Sequence, residues 1–455
     1  MSIQAGYVNY NSIKDYQVWL HSSRGKDDRV ESPFYHEHIR VGWYSTFLEK
    51  LNHHTDGNSI TFTANGKAHF LLYTNLVFYT PEVISSNPNL KVAWTPNLLH
   101  NYVESAQLTF NDIPVQKFDT VGADIMIQLM PRPGESKREQ YLRDIGNLPF
   151  LIRFGEQLPS SRLSLHCPWS FSAKVSKCIP LCLSTSTVVT MKFTLQRDPA
   201  KLIRIREERN GQPYLRALTT SDQIAIRGIE NNLLGFPEVY GRYALVTPKE
   251  IAWQKKIPYR ELFYDTFQDF DADGTVEHGQ LSQVVFLSAN PVKALFPVAQ
   301  NMLALAINNH SNYTTNPYDS YSGFSAIGRY NLFYSTIKIL DNLESEIFSN
   351  DEPYWTCSAC PERPGYAAIV FPSSLERDED VGIVLNAVGG KLSVTMDETR
   401  YPAIRSNTPS SYHFRVRALT TQVFRYENNM ITIPKILNHD SKMFEDKWNQ
   451  WNVRD

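Results

Sequence analysis

Along much of this chain, apolar residues return at every second position, in short runs cut apart by turn-forming residues. Val189, Met191, Phe193 and Leu195 are separated by Thr190, Lys192 and Thr194. Leu392, Val394 and Met396 alternate with Lys391, Ser393 and Thr395, and Tyr412, Phe414, Val416 and Ala418 with His413, Arg415 and Arg417. Successive side chains of a strand point to opposite faces. Each run therefore offers one face to a core and the other to solvent or a partner. His69 to Thr80 is a more continuous apolar run, which suits a strand buried on both faces. The runs are punctuated by Asn65-Gly66, Pro131-Arg-Pro-Gly134, Asn210-Gly211 and Gly389-Gly390, residues that favour tight turns. Many short strands with this punctuation predict an all-β sandwich or jelly-roll architecture. The 24 Tyr and 24 Phe agree, because aromatic side chains favour pleated surfaces.

Helical signals are few. Glu135 to Ile145 predicts one short helix stopped by Gly146. Thr247-Pro-Lys-Glu250 predicts a second start: Thr247 as cap, Pro248 in the first turn, Glu250 closing a capping box. Pro258 prevents that helix from running smoothly past Ile257. The helix lies just beyond the midpoint of 455 residues and separates two strand-rich halves. We therefore expect an amino-terminal segment at 1–34, a first sandwich at 35–250 that includes the linker helix start, and a second at 251–455. Each half holds roughly 200 residues, a common domain size.

Composition narrows the functional classes. With 42% hydrophobic and 20% charged residues the chain is globular rather than disordered. A net charge of −2 argues against a protein that coats nucleic acid. Five cysteines are too sparse for a disulfide-stapled scaffold, so a reducing origin is expected. Met1 to Tyr10 lacks the pattern of a secretory signal, and no run of 18 apolar residues is present. The sequons at Asn309 and Asn312 then read as chance matches.

Each candidate for chemistry lacks a required part. Asp269 to Gln280 places Asp269, Asp271, Asp273 and Gly274 as a calcium loop would, and Phe263, Phe267 and Phe270 before it resemble an incoming helix. Gln280 cannot supply the bidentate carboxylate of the last position, and Val284 to Leu287 reads as a strand, so an acidic surface turn is expected. Cys357 and Cys360 make half of a zinc site, but Cys178 and Cys182 are distant and wrongly spaced. His36 and His38 lack the spacing that puts two imidazoles on one helix face, and His53-His54 falls in a polar loop. Neither a Gly-x-Ser-x-Gly elbow nor a phosphate-cradling glycine loop occurs. Lys201 to Arg209, mixed in sign, reads as a solvated face, with a polyanion contact as the alternative. No catalytic, cofactor-binding or metal-binding residue is assigned, and no cofactor is expected.

Trp94-Thr-Pro-Asn-Leu-Leu-His-Asn-Tyr-Val-Glu-Ser-Ala-Gln-Leu-Thr-Phe-Asn-Asp-Ile113 reads locally as a short turn followed by a strand. Its wording resembles a signature segment of the major capsid proteins of large icosahedral DNA viruses, iridoviruses and ascoviruses in particular. Further segments resemble the same family in the same order. They are Tyr35 to Trp43, Asn111 to Phe118, Leu165 to Phe171 with Ile179 to Leu183, Glu238 to Val246, and Ser288 to Leu295 closing with Gln300-Asn301. The last third departs from the pattern: Asp380 to Asn386 retains only a Gly and an Asn of the family's motif there.

The resemblance implies a double jelly roll, that is, two consecutive eight-stranded jelly rolls with a few short helices in loops and linker. It implies that Asn111 to Phe118 carries a short turn and a helix after the strand. It further implies a homotrimer with a pseudo-hexagonal outline that tiles an icosahedral shell, in contact with neighbouring capsomers and minor capsid proteins, and with an internal viral membrane through the latter. The location implied is the outer shell of the virion, assembled in host cytoplasm. The amino-terminal segment with Tyr7, Tyr10, Tyr16 and Trp19 is then an inner-face anchor. A divergent minor-capsid or penton paralogue, a carbohydrate-binding jelly roll and a calcium-regulated binding module are the rival readings.

Overall fold

The computed structural model describes residues 44–432 apart from 67, 132–134, 174–176, 210, 249–250, 253–254, 256–259, 278, 287, 289, 335–336, 376–382, 385–389, 397–410 and 428–429. Tyr35 to Trp43, the His36–His38 pair, the amino-terminal aromatics and Glu250 lie outside the described residues.

Among the described residues, fifteen strands precede the linker: β1 (Tyr44–Lys50), β2 (Asn52–Asp56), β3 (Ser59–Thr63), β4 (Phe70–Tyr79), β5 (Glu82–Ser85), β6 (Leu90–Trp94), β7 (Val103–Phe110), β8 (Ile113–Asp119), β9 (Gln157–Leu158), β10 (Arg162–His166), β11 (Val189–Leu195), β12 (Ile203–Arg209), β13 (Gln212–Ala217), β14 (Ile224–Arg227) and β15 (Glu238–Val246). They pair as a sheet β1-β15-β4-β10, a facing sheet β2-β3-β11-β7-β8, and two small sheets, β13-β12-β6 and β14-β5-β9. Ten more follow: β16 (Arg260–Asp271), β17 (Leu281–Phe286), β18 (Pro291–Asn301), β19 (Ile327–Tyr334), β20 (Ile337–Glu344), β21 (Ile369–Val370), β22 (Ile383–Val384), β23 (Gly390–Met396), β24 (Tyr412–Glu427) and β25 (Met430–Thr432). These form a sheet β16-β24-β18-β21, joined by β22 and β25, and a facing sheet β17-β23-β19-β20.

The expected alternation appears as burial. In β11, Val189, Met191, Phe193 and Leu195 are buried while the residues between are at least partly exposed. They meet Ile60, Phe62 and Leu108 of the same sheet and Leu71, Leu76, Leu163 and Val239 of the facing one, in a single core. A second core holds Val284, Phe286, Tyr330, Leu392 and Val394 from one sheet and Leu295, Phe414, Val416 and Ala418 from the other. Each fully enclosed aliphatic or aromatic side chain stabilises such a core by ~1.5–3 kcal/mol. β4, as expected of His69 to Thr80, is buried on both faces for most of its length.

All eleven residues of β18 are buried. The strand has no solvent face because it lies between the two cores: Phe296 and Val298 join the first, Leu295 and Ala299 the second. Phe267 of β16 and Phe424 of β24 also join the first.

Several expectations are corrected. Leu98–Tyr102 is a one-turn helix between β6 and β7, where a turn is expected, and Asn97 takes a positive φ of 51° to start it. After Asn111 and Asp112, both of positive φ, the chain forms β8 before the helix Thr120–Leu129 begins. The helix Glu135–Asp144 ends one residue before Ile145, and Gly146, at φ 111°, follows. Ile251 N–H donates to Thr247 O at 3.2 Å, as a helix starting there requires. His53 and His54 lie in β2 rather than a loop, exposed along an edge strand. Phe263, Phe267 and Phe270 belong to β16, not to a helix. The Lys201–Arg209 run is not one solvated face, because in β12 Arg204 is buried.

Candidate functional site: the seam between the two sandwiches

The elements that hold one sandwich against the other come from segments far apart in sequence. β8 lies beside β16. Lys117 N–H donates to Thr266 Oγ1 at 3.1 Å, and its ammonium pairs with Asp269. Ser170 Oγ donates to Asp265 O at 2.8 Å and accepts from Asp265 N–H at 2.9 Å.

Arg417 is the centre of this contact. The alternation in β24 places it on the face away from the second core, where solvent or a partner is expected. That face is covered by the first sandwich, and Arg417 is 2% exposed. Its Nη2 donates to Asp119 at 2.7 Å and its Nη1 to Asp271 at 2.7 Å, while Nε lies 3.3 Å from Asp269. Burial alone would lower its pKa. The carboxylates of Asp119, Asp269 and Asp271 reverse that and hold it above the ordinary arginine value. Asp119 also accepts from Gly122 N–H at 2.7 Å and so caps the helix Thr120–Leu129. One carboxylate thus fixes a helix start and an ion pair across the seam.

At the end of the seam near Trp94, the helix Leu98–Tyr102 aims its polar side chains inward. Asp124 is fully buried and accepts from Asn97 Nδ2 at 2.7 Å, His100 Nδ1 at 2.7 Å and, from the other sandwich, Tyr313 hydroxyl at 3.1 Å. His100 Nε2 lies 2.9 Å from the Tyr141 hydroxyl. Asn101 donates to Ser311 at 3.0 Å, and Asn308 donates to the carbonyls of Ala200 and Ile203 at 2.6 and 2.7 Å. Gly365 completes the packing. Its φ is 93°, and a Cβ there would sit 2.2 Å from Tyr313 O. Burial raises the Tyr313 and Tyr366 hydroxyls well above the usual phenol range, so both stay protonated and Tyr313 keeps its donor role.

Asp124 and His100 have the pairing of a catalytic dyad. Both side chains are sealed from solvent, however, and the partners around them are amides and phenols of the seam. A general base must reach the proton it removes. The cluster instead satisfies buried polar groups that would otherwise be costly. Nothing in the sequence announces this role for Asn97, His100 or Asn101, since their partners lie between 24 and 210 residues away.

The other sequence candidates scatter. Asp269 and Asp271 are strand residues committed to Lys117 and Arg417, and the described residues contain no cluster of three or more potential metal ligands. Cys178 and Cys182 are buried, Cys357 is half-buried and Cys360 exposed. Asn309 and Asn312 are buried, and their amides donate to Pro317 O at 2.9 Å and Asn316 O at 2.7 Å. The folded chain therefore offers neither sequon to a glycosyltransferase.

No family model matches the chain. It is 26% identical over 390 residues to the major capsid protein of Frog virus 3 (isolate Goorha), which spans 75% of this chain and 77% of that one. It is 21% identical over 462 residues to the major capsid protein of Wiseana iridescent virus, covering 93% and 92%. Among solved structures it superposes on the PBCV-1 virus capsid with a TM-score of 0.66 at 12% identity, covering 88% of this chain and 99% of that one. The Faustovirus major capsid protein gives 0.64 at 9% identity, covering 92% and 98%. The fold is the double jelly roll of large-virus capsid proteins.

Proposed function

We propose that this chain, a structural capsid protein similar to the major capsid proteins of iridoviruses, forms a homotrimeric capsomer of pseudo-hexagonal outline that tiles an icosahedral shell. The single observation that carries the reading is the seam. Ion pairs, buried amides and shared apolar strands join the two sandwiches, so each chain supplies two jelly rolls as one building block. Three such blocks give six jelly rolls around an axis. The boundary between the halves falls in the linker between Val246 and Arg260, close to residue 250, with the first sandwich as 35–250 and the second as 251–455.

Its partners are two further copies, neighbouring capsomers and minor capsid proteins, with an internal membrane reached through the latter. Its location is the outer shell of the virion, assembled in host cytoplasm, and it carries out no catalysis. Residues 1–34 act as the inner-face anchor. A closed ring joins one patch to a different patch of the next copy, and permanent interfaces of this kind bury about 2,000 Å² or more.

Two exposed apolar features suit such a contact. Leu281 and Val285, 62% and 67% exposed, stand on the outward face of the edge strand β17. Tyr354 and Trp355, 69% and 77% exposed, meet edge-to-face with ring centres 5.0 Å apart. Tyrosine and tryptophan supply much of the binding energy in interfaces. The double variant Val285→Asp, Trp355→Asp is expected to run as a folded monomer in size-exclusion chromatography with light scattering, where the parent runs as a trimer. A variant that stays trimeric would remove these side chains from the interface, and a monomeric parent would remove the trimer itself.

A further inference from the structure

Two buried arginines at the seam have no acidic partner among the described residues. Arg204 and Arg363 are 7% and 6% exposed, and neither forms an ion pair with a described residue, although Arg138, Arg216 and Arg417 all do. Arg204 donates to Trp94 O from Nε at 3.3 Å and Nη2 at 3.2 Å, and from Nη2 to Ile152 O at 3.1 Å. Its Nη1 donates to no acceptor among the described residues. Arg363 donates from Nη2 to the Tyr321 hydroxyl at 2.9 Å and stacks over that ring at 4.6 Å, while its buried Nε has no acceptor. Burial pushes the Arg204 guanidinium down to about 10, and no carboxylate offsets it.

Both side chains line one cavity of about 370 Å³ between the loops of the two sandwiches. Arg143, in the last turn of its helix and exposed, stands at the rim. The acidic groups there are Glu139 and Asp319, both exposed, and Asp319 already accepts from Tyr321 N–H at 3.0 Å. Taking a cation out of water without a counter-charge is costly. Guanidinium forks match the geometry of oxyanions, which they bind with charge-assisted hydrogen bonds. The volume falls at the lower end of small-ligand pockets, enough for an oxyanion and a small group that carries it.

We propose that this cavity is an oxyanion-binding site, in which Arg204 and Arg363 clamp a phosphate, sulfate or carboxylate that is either free or borne on a sugar. The proposal is independent of the assembly reading, since it concerns groups within one chain.

Isothermal titration calorimetry of the full chain against inorganic phosphate, sulfate and glucuronate, at constant ionic strength in chloride, tests it. Saturable binding of at least one of the three is expected, and Arg363→Gln should weaken it about tenfold or more, as loss of a charge-assisted hydrogen bond would. Arg363→Lys, which keeps the charge and loses the fork, should fall between the two. It also serves if the glutamine variant fails to fold. Tighter binding of glucuronate than of the inorganic ions would mark the sugar-borne source, and the reverse order a free ion. No saturable heat from any of the three with folded parent protein, or an unchanged affinity in both Arg363 variants, would overturn the proposal.

Discussion

Arg417 stands among polar residues that alternate with a core-facing row, and a strand pattern alone sends it to solvent. Its partners Asp119 and Asp271 lie 298 and 146 residues away, so only the fold brings the charges together. Replacing it with Met leaves three carboxylates facing a buried apolar chain. Breaking a buried ion pair from one side costs about 3–5 kcal/mol, and urea denaturation of Arg417→Met should show a loss of that size. Asp222 makes a different prediction. Hydrogen bonds from Arg216, at 2.5 and 2.7 Å, and then from Thr219, hold its carboxyl down to about 2. The unfolded value is near 3.9, so the folded state favours the ionised form. That contribution is complete above about pH 5 and fades as pH falls through the range from about 4 to about 2. The difference in melting temperature between the parent and Asp222→Asn should therefore be largest near neutrality and shrink in acid. A difference that grows on acidification would contradict the assignment.

At the scale of elements, the strands that face one core were the most legible. β11 shows the two-residue period because one face is dry and the other is at least partly exposed, and in β24 the period holds as far as Ala418 because the face turned from the second core carries His413, Arg415 and Arg417 rather than apolar residues. Elements buried all round, or not at all, carry no such signal. The helix Thr120–Leu129 is enclosed on nearly every side, with Val121, Asp124, Ile125, Gln128 and Leu129 all buried, so it shows no helical stripe. β2 is exposed at all five residues and reads as a loop. Phe263, Phe267 and Phe270 suggest a helix because β16 serves two surfaces at once. The same contrast predicts energetics. Phe414→Ala removes a fully buried ring from the second core and should cost about 3–5 kcal/mol. Val285→Ser, on the exposed face of β17, should change the stability of the separated chain by about 0.5 kcal/mol or less. Equal costs in chemical denaturation would mean that the two faces of that sandwich are misassigned.

The whole molecule was legible only in part. Turn chemistry pointed to many short strands, and the ordered family-like segments pointed to the double jelly roll; the division near residue 250 stands as part of the proposal. The seam was not legible. The Trp94–Ile113 string gave a turn and a strand, yet its Asn101 reaches Ser311 of the other half, and its Asn97 and His100 hold Asp124, which accepts from Tyr313 there. The cavity proposed for an oxyanion was hidden for the same reason, since Arg204 and Arg363 line one cavity only in the folded chain. In the proposed capsomer, coupling of the two jelly rolls is what would make one chain a third of a hexagonal tile. Electron microscopy of the purified protein tests that claim most directly. Particles with a three-fold axis and a hexagonal outline, each accounting for three chains, are the predicted result; uniform single-chain particles at micromolar concentration would contradict it.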